Sequence, residues 1–236
     1  MYNSEKYNDN RPNVGVTIVP FIYEDGVIKT LLYKRHSEAE VFADMYCLPN
    51  AIFDIKNHTN LEDAASFALE EKTSVRLKHL EQIHTFSGLH IDPRICTVNS
   101  CYLSICNKNE IVLLNDSKFK SEWVEVNKAI SKELAFNHNE VLNIAYKRLK
   151  AKAEYTPLTA HLLEENFTIN EFRTLVELLI DKKLDNSRFR DRIKKTDVLI
   201  PVENHFKTGS NRPAQFYKLN EDYKDFFYPV SLTKPN

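Results

Sequence analysis

The sequence predicts an α+β protein with two domains. Up to about residue 150, short β-branched apolar runs are interspersed with segments of helical spacing, which is typical of a sandwich of sheet and helices. The stretch 152–166, KAEYTPLTAHLLEEN, breaks this pattern with a proline, and two helices and a hairpin follow it. We therefore expect the boundary near residues 153–160, with one domain over 1–155 and another over 156–236.

The first domain is expected to open with a β-hairpin. The runs VGVTIVPFIY and DGVIKTLLYKR are apolar and β-branched, and a turn at residues 24–26 joins them. The segments VNSCYLSIC, EIVLLN and SEWVEV read as further strands. Residues 61–75 and 138–152 have helical spacing, and the first of these helices carries an apolar stripe of Leu61, Ala64, Ala65, Ala68 and Leu69.

The second domain reads as helix, helix and hairpin. Thr168 and Glu171 match a capping box that opens FTINEFRTLVELLID, in which Phe172, Leu175, Val176, Leu179 and Ile180 form an apolar stripe. A short helix, SRFRDRIKKT, is expected to begin at Ser187. The apolar DVLIPVE, the turn-rich NHFKTGSNRPA and the strand-like QFYKL then complete the plan of a winged helix-turn-helix.

Composition excludes several classes of protein. The polar N-terminal residues MYNSEKYNDN lack the apolar core of a signal peptide, and the sequence has no apolar run of the roughly 18 residues that a membrane span needs. We therefore expect a cytoplasmic protein that has no membrane partner. Cys47, Cys96, Cys101 and Cys106 lack CxxC spacing, so buried thiols are favoured over disulfides or a zinc site.

Basic charge is concentrated in the second domain. Residues 182–212 carry 9 basic and 4 acidic side chains, a surplus typical of a polyanion site, whereas a solvated charged face is the alternative. If Phe189 and Ile193 face inward, the polar side chains of the second helix face outward. Lysine and arginine there suit phosphate positioning and guanine recognition. The predicted DNA-contacting residues are Ser187, Arg188, Arg190, Asp191, Arg192, Lys194 and Lys195 on the helix, with Lys207 and Arg212 in the wing.

The stretch from LPNAIFD to LEDAASFALEEKTSV resembles the Nudix box, whose helix carboxylates hold magnesium or manganese against a diphosphate. Only Glu71 keeps its signature identity. The other signature positions are occupied by Ala51, Thr59, Phe67, Ala68, Lys72 and Ser74. The apolar Leu69 and Val75 remain, so the packing of the helix is kept while the metal ligands are lost. We expect no catalytic residue, no metal and no cofactor.

The resemblance extends beyond this box. The segments LEQIHTFSGLHIDPR, LAFNHNEVLNIAYKRLKAKAEYTPL, FTINEF, FRDRIKKTDVLI and NRPAQFYKL are similar to Nudix-related transcriptional regulators of the NrtR type. Such regulators join a Nudix-like effector domain to a winged helix. The implied fold is α+β, a Nudix-like α/β/α sandwich followed by a winged helix-turn-helix domain. One departure is Asp191, which stands where the family usually has a basic residue.

The resemblance implies a DNA-binding regulator, expected to be a repressor, whose degenerate Nudix domain senses a metabolite. The implied partners are a double-stranded DNA operator, an effector that is an ADP-ribose-like nucleotide or a sugar, and a second copy of the chain in a homodimer. The effector pocket is expected beside the Nudix helix, lined by Arg35, Phe53, Glu71, Asp92 and Arg94. As alternative roles, Arg35 is a surface charge, Phe53 is a core residue, and Asp92 and Arg94 form a local ion pair. The alternative function is a divergent Nudix pyrophosphohydrolase acting on a nucleoside-diphosphate derivative.

Overall fold

The computed structural model describes residues 11–71, 79–108, 120–207, 213–220 and 222. These residues divide into two compact units. The first contains the described residues of 11–21, 28–106 and 120–145, and the second contains 22–27, 107–108 and the described residues from 146 onward. The predicted strand EIVLLN and the residues Lys72, Ser74, Val75 and Arg212 lie outside the described part of the chain.

The predicted hairpin is present. Strands β1 (Asn13–Glu24) and β2 (Val27–Lys34) are joined by Asp25 and Gly26, which have φ angles of 53° and 78°. A two-residue turn with positive φ at both positions matches the right-handed twist of the flanking strands, and Asp-Gly is a favoured sequence for it. The local sequence therefore sets the register of these strands.

The main sheet is centred on β1. The strands that join it are β3 (Tyr46–Cys47), β4 (Asn50–Ile52), β5 (His79–Gly88), β6 (Thr97–Ile105) and β7 (Lys120–Glu125). Their order is β3-β2-β1-β6-β5, with β4 paired to β1 and β7 paired to β2. β1 runs parallel to β6, and residues 15–22 are buried. A strand covered on both faces needs such a continuous apolar run.

Three helices accompany this sheet: α1 (Leu61–Glu70), α2 (Val126–Ile130) and α3 (His138–Tyr155). The side chain of Asn60 caps α1 by accepting from the N–H of Asp63. The predicted stripe of α1 is buried, apart from Leu61, which is half-buried. On α3 the buried side chains include Val141, Leu142, Ala145 and Leu149, which recur at helical spacing.

The second unit contains a 3-10 helix (Pro157–Leu162), β8 (Phe167–Thr168), α4 (Ile169–Ile180), α5 (Asn186–Lys194), β9 (Leu199–Lys207) and β10 (Ala214–Leu219). The three strands form an antiparallel sheet in the order β8-β10-β9. The capping box of α4 is present as predicted: Thr168 N–H donates to Glu171 Oε2 at 2.7 Å, and Glu171 N–H donates to Thr168 Oγ1 at 3.2 Å.

Two predicted boundaries in this unit were wrong. The helix α5 does not begin at Ser187, because Asp185 is its cap and accepts from the N–H of Arg188 at 2.8 Å. Ser187 thus lies inside the first turn. Residues 204–207, expected in the turn, belong to β9, where Lys207 pairs with Ala214 of β10. Asn204 keeps a turn-like backbone there, with a φ angle of 54°, while residues before and after it pair with β10.

Three of the four cysteines are buried, as expected, but Cys96 is exposed. It lies between the turn at Asp92–Ile95 and the first residue of β6, and this explains its exposure. No helix in the described part of the chain is long and apolar enough to span a membrane.

The capping box predicts a measurable stability difference. Thr168→Ala removes the side-chain acceptor of the Glu171 N–H, so the free energy of unfolding should fall by about 1 kcal/mol in a urea titration. Thr174→Ala is the matched control, because the exposed Thr174 donates only to the Asn170 carbonyl within α4. Its change should stay within about 0.5 kcal/mol. Equal losses in the two variants would show that the capping box does not stabilise α4.

Candidate functional site

The helix α5 presents a basic face to solvent. Phe189 and Ile193 are 2% and 1% exposed, and they anchor the helix as the spacing predicted. Phe189 packs edge-on against Phe172 of α4, with ring centroids 5.8 Å apart. The exposed side chains are Ser187, Arg188, Arg190, Asp191, Lys194 and Lys195, whereas Arg192 is half-buried. All seven helix residues predicted for DNA contact thus belong to α5 or to its C-cap, Lys195.

The wing places Lys207 at the end of β9. This side chain is exposed, but its Nζ lies 2.6 Å from Glu171 Oε1, and that carboxylate raises the pKa of Lys207. Lys207 therefore neutralises the capping carboxylate of α4 when no DNA is bound. Arg212, the other residue predicted in the wing, lies outside the described residues.

A cavity of about 270 Å³ opens in the first unit. It is walled by β1, β4, the start of β6, the loop at 91–94 and the residues that precede and open α3. The lining residues are Gly15, Val16, Thr17, Arg35, Asn50, Ala51, Ile52, Ile91, Asp92, Arg94, Thr97, Asn99, Phe136, Asn137 and His138. The wall is thus mostly polar near Arg35 and the start of α3.

Arg35, Asp92 and Arg94 were predicted for this pocket, and they meet in it. Arg94 Nη2 lies 2.7 Å from Asp92 Oδ2, and Arg94 Nε donates to Asp92 Oδ1 at 2.9 Å. This pairing lowers the pKa of Asp92 and raises that of Arg94. Glu40 approaches Arg94 at 3.4 Å. Asp92 and Arg94 therefore form the local ion pair and also line the cavity.

Phe53 and Glu71 do not line the cavity, and no described residue of α1 does. This cavity therefore lies apart from the pocket expected beside the Nudix helix, and the assignment of Phe53 and Glu71 to the effector stays a prediction. Phe53 instead stacks near His58, with centroids 5.9 Å apart, and His58 lies 5.0 Å from Phe67 of α1. These side chains fill the space between the loop and the helix, so β4 rather than α1 borders the cavity.

Arg35 is held against the cavity by two contacts. Its Nε donates to the Val41 carbonyl at 3.1 Å, and its guanidinium lies 4.8 Å from the centroid of the Phe136 ring. His138 lies in the same wall and is fully buried. Burial and the positive charge of Arg35 lower the pKa of His138 to about 3, so the imidazole is neutral.

The sequence-based prediction missed six polar residues of this cavity: Thr17, Asn50, Thr97, Asn99, Asn137 and His138. Asn50 lies within LPNAIFD, at the start of the stretch that resembles the Nudix box, and Asn137 and His138 open the helix at 138. These stretches were recognised by the Nudix resemblance and by the helical spacing of 138–152, and neither pattern indicates a shared cavity. The available signal was a pair of polar residues, Asn-His, directly before an apolar helical stripe.

The Nudix signature positions carry little metal-binding chemistry. Phe67 and Ala68 have no side-chain donor atoms, and Thr59 binds Asp63 through its N–H at 2.9 Å. Among the described residues, no group of three His, Cys, Asp or Glu side chains is arranged to hold a metal ion. Glu71 is exposed and follows the last residue of α1.

Comparisons with known proteins agree with this architecture. Residues 159–219 match the family model described as the NrtR DNA-binding winged helix domain. The chain is 29% identical over 224 residues to a protein of Acinetobacter baylyi named ADPR responsive transcriptional repressor NtrR, covering 95% of this chain and 88% of that protein.

Two solved structures from Shewanella oneidensis are similar as well. NrtR complexed with a 27mer DNA has a TM-score of 0.84 and 28% identity, and the match covers 93% of this chain and 99% of that one. The NUDIX domain of NrtR complexed with ADP ribose has a TM-score of 0.55 and 26% identity, and the match covers 63% of this chain and 94% of that one. The chain is thus similar over nearly its whole length to transcriptional regulators of the NrtR type, and residues 159–219 match the NrtR winged helix domain.

Proposed function

We propose that this protein is a repressor that binds operator DNA through α5 and the wing, and that ADP-ribose or a related nucleotide controls its affinity for DNA. The observation that carries the proposal is the basic face of α5, presented by buried Phe189 and Ile193 on an NrtR winged helix. The Acinetobacter relative is named for repression and a response to ADPR, and the Shewanella structures contain DNA and ADP ribose.

The same proposal includes the domain bounds, the location of the protein and the fate of the effector. The effector domain is residues 1–155 and the DNA-binding domain is residues 156–236. A regulator of this kind acts on DNA, and we place the protein in the cytoplasm. The protein does not hydrolyse its effector, because charge neutralisation by helix-bound metal is the chemistry of the Nudix box, and Thr59 and Ala68 supply no carboxylate where the box has glutamate.

The residues proposed to contact DNA have distinct roles. Lys194, Lys195 and Arg188 position phosphates, and Arg190 suits the paired acceptors of guanine. Asp191 accepts from a cytosine amino group. Ser187 lies in the first turn of α5, where base edges are most often reached. Arg192 contacts DNA from the flank of the helix, and Lys207 and Arg212 reach the neighbouring phosphates.

Arg190→Ala should weaken binding to a duplex from the gene's own upstream region by about 1–3 kcal/mol, because a bidentate contact to guanine is lost. Fluorescence anisotropy at fixed salt measures this change. The control is Lys147→Ala, which removes one exposed positive charge from α3 and should change affinity little. If Arg190→Ala weakens binding to random duplexes as much as to the specific duplex, and no more than Lys147→Ala does, Arg190 does not read a base.

We expect a homodimer, because a single recognition helix reads few base pairs and two copies spaced by one helical turn increase both affinity and specificity. Light scattering at micromolar concentration should give twice the 27.5 kDa of one chain. The operator should then contain two-fold related half-sites. A monomer that binds DNA with one chain per site would contradict this prediction.

ADP-ribose should bind the protein without being consumed, and operator DNA should change its affinity by the same factor as ADP-ribose changes DNA affinity. The coupling is expected at about 1–3 kcal/mol. Calorimetric titration with and without operator measures it, with pentoses included as the sugar alternative. Turnover of ADP-ribose with magnesium that Glu71→Gln abolishes would instead establish the pyrophosphohydrolase.

A further inference from the structure

The two oxygens of the Glu171 carboxylate have separate partners. Oε2 accepts from the N–H and the hydroxyl of Thr168 at 2.7 and 2.9 Å, and these bonds belong to the capping box of α4. Oε1 lies 2.6 Å from Nζ of Lys207 at the end of β9. Because the capping box fixes the carboxylate, Oε1 is presented to the wing at a defined position.

The register of the wing brings Lys207 to this carboxylate. Lys207 faces Ala214 across the β9–β10 pair, and Phe216 faces Thr168 across the β10–β8 pair. The end of β9 therefore lies near the first turn of α4. Burial raises the pKa of Glu171, but the bonds from Lys207 and Thr168 have the larger combined effect and lower it. The same ion pair raises the pKa of Lys207, so the contact stabilises both charged forms.

The surroundings of this ion pair are acidic. Lys207 and Glu171 line a second cavity, of about 400 Å³, whose described lining residues all belong to the second unit. The other charged residues of this lining are Glu24, Asp25, Lys108 and Glu164, so four carboxylates stand against two lysines. A DNA phosphate that approaches Lys207 in this position is repelled by the surplus of negative charge.

We propose that Glu171 competes with DNA phosphates for Lys207 and thereby lowers the affinity of the wing for DNA. The inference rests on the proposed contact between the wing and DNA, and it identifies a residue of α4 that opposes this contact. When Lys207 moves to a phosphate, Glu171 keeps its capping bonds with Thr168 and loses its cation. The free energy of the broken ion pair is then subtracted from that of the new phosphate contact.

Glu171→Gln separates the two roles of this side chain. Glutamine retains an acceptor oxygen for the Thr168 N–H, so the capping box is kept, whereas the charge that pairs with Lys207 is removed. Glu165→Gln is the matched control, because it removes an exposed carboxylate from the loop before β8. Lys207→Ala, alone and combined with Glu171→Gln, completes a double-mutant cycle. Thermal melting followed by circular dichroism checks that each full-length variant is folded.

Fluorescence anisotropy measures the affinity of each variant for the upstream duplex and for a random duplex over a range of salt concentrations. Relative to Glu165→Gln, Glu171→Gln should raise the affinity about 2- to 5-fold, which is the scale of an exposed ion pair. The plot of log K against log salt should become steeper by up to about 0.9, the value for one more phosphate contact. In the Lys207→Ala background, Glu171→Gln should give no such gain.

Two results would separate this inference from the proposed function. If folded Glu171→Gln matches the control, or raises the affinity equally in the absence of the Lys207 side chain, the competition is wrong while the proposed DNA binding stands. If the gain requires Lys207 but the upstream duplex is bound no more tightly than the random duplex, the proposed operator recognition is wrong while the competition stands.

Discussion

Glu177 is a buried carboxylate on α4, and it accepts a hydrogen bond from the backbone N–H of Leu184 at 2.7 Å. Arg173 and Lys183 pair with it as well. Burial raises its pKa, but the Leu184 N–H and the two cations have the larger combined effect and lower it. Because a buried charge is tolerated only with such partners, the turn after α4 is fixed, and the basic face of α5 depends on that turn.

The cavity of the first unit follows the opposite rule. There the Asp92–Arg94 pair is compensated, whereas both side-chain polar atoms of Asn137 are buried without a hydrogen-bond partner in the described part of the chain. Unsatisfied buried groups oppose folding, and proteins keep them where a ligand or water completes them. Asn137 is therefore a polar side chain of the cavity that a ligand or water can complete.

The short-range sequence pattern was sufficient to predict the elements that depend on residues close together in the sequence. The Asp25-Gly26 hairpin and the capping box at Thr168 were predicted because the relevant residues are adjacent in sequence. The strand at His79–Gly88 was not predicted, since it is largely polar and only partly buried. The cavity joins residues from the segments around 35, 50, 92 and 137, which only tertiary packing brings together. Phe53 and Glu71 were placed there by assuming that the pocket follows the Nudix helix.

One substitution in the Nudix-like helix α1 contributes a packing contact. Phe67 stands at a signature position and stacks against His58, whose ring also approaches Phe53. Phe67 stands where the Nudix box has its arginine, so an aromatic contact is found where the hydrolases have a cation. In the repressor proposed above the effector is not consumed, so the occupancy of the domain is set by effector concentration and affinity alone. That condition is the one a sensor must meet, since a ligand acts on DNA binding only while it remains bound.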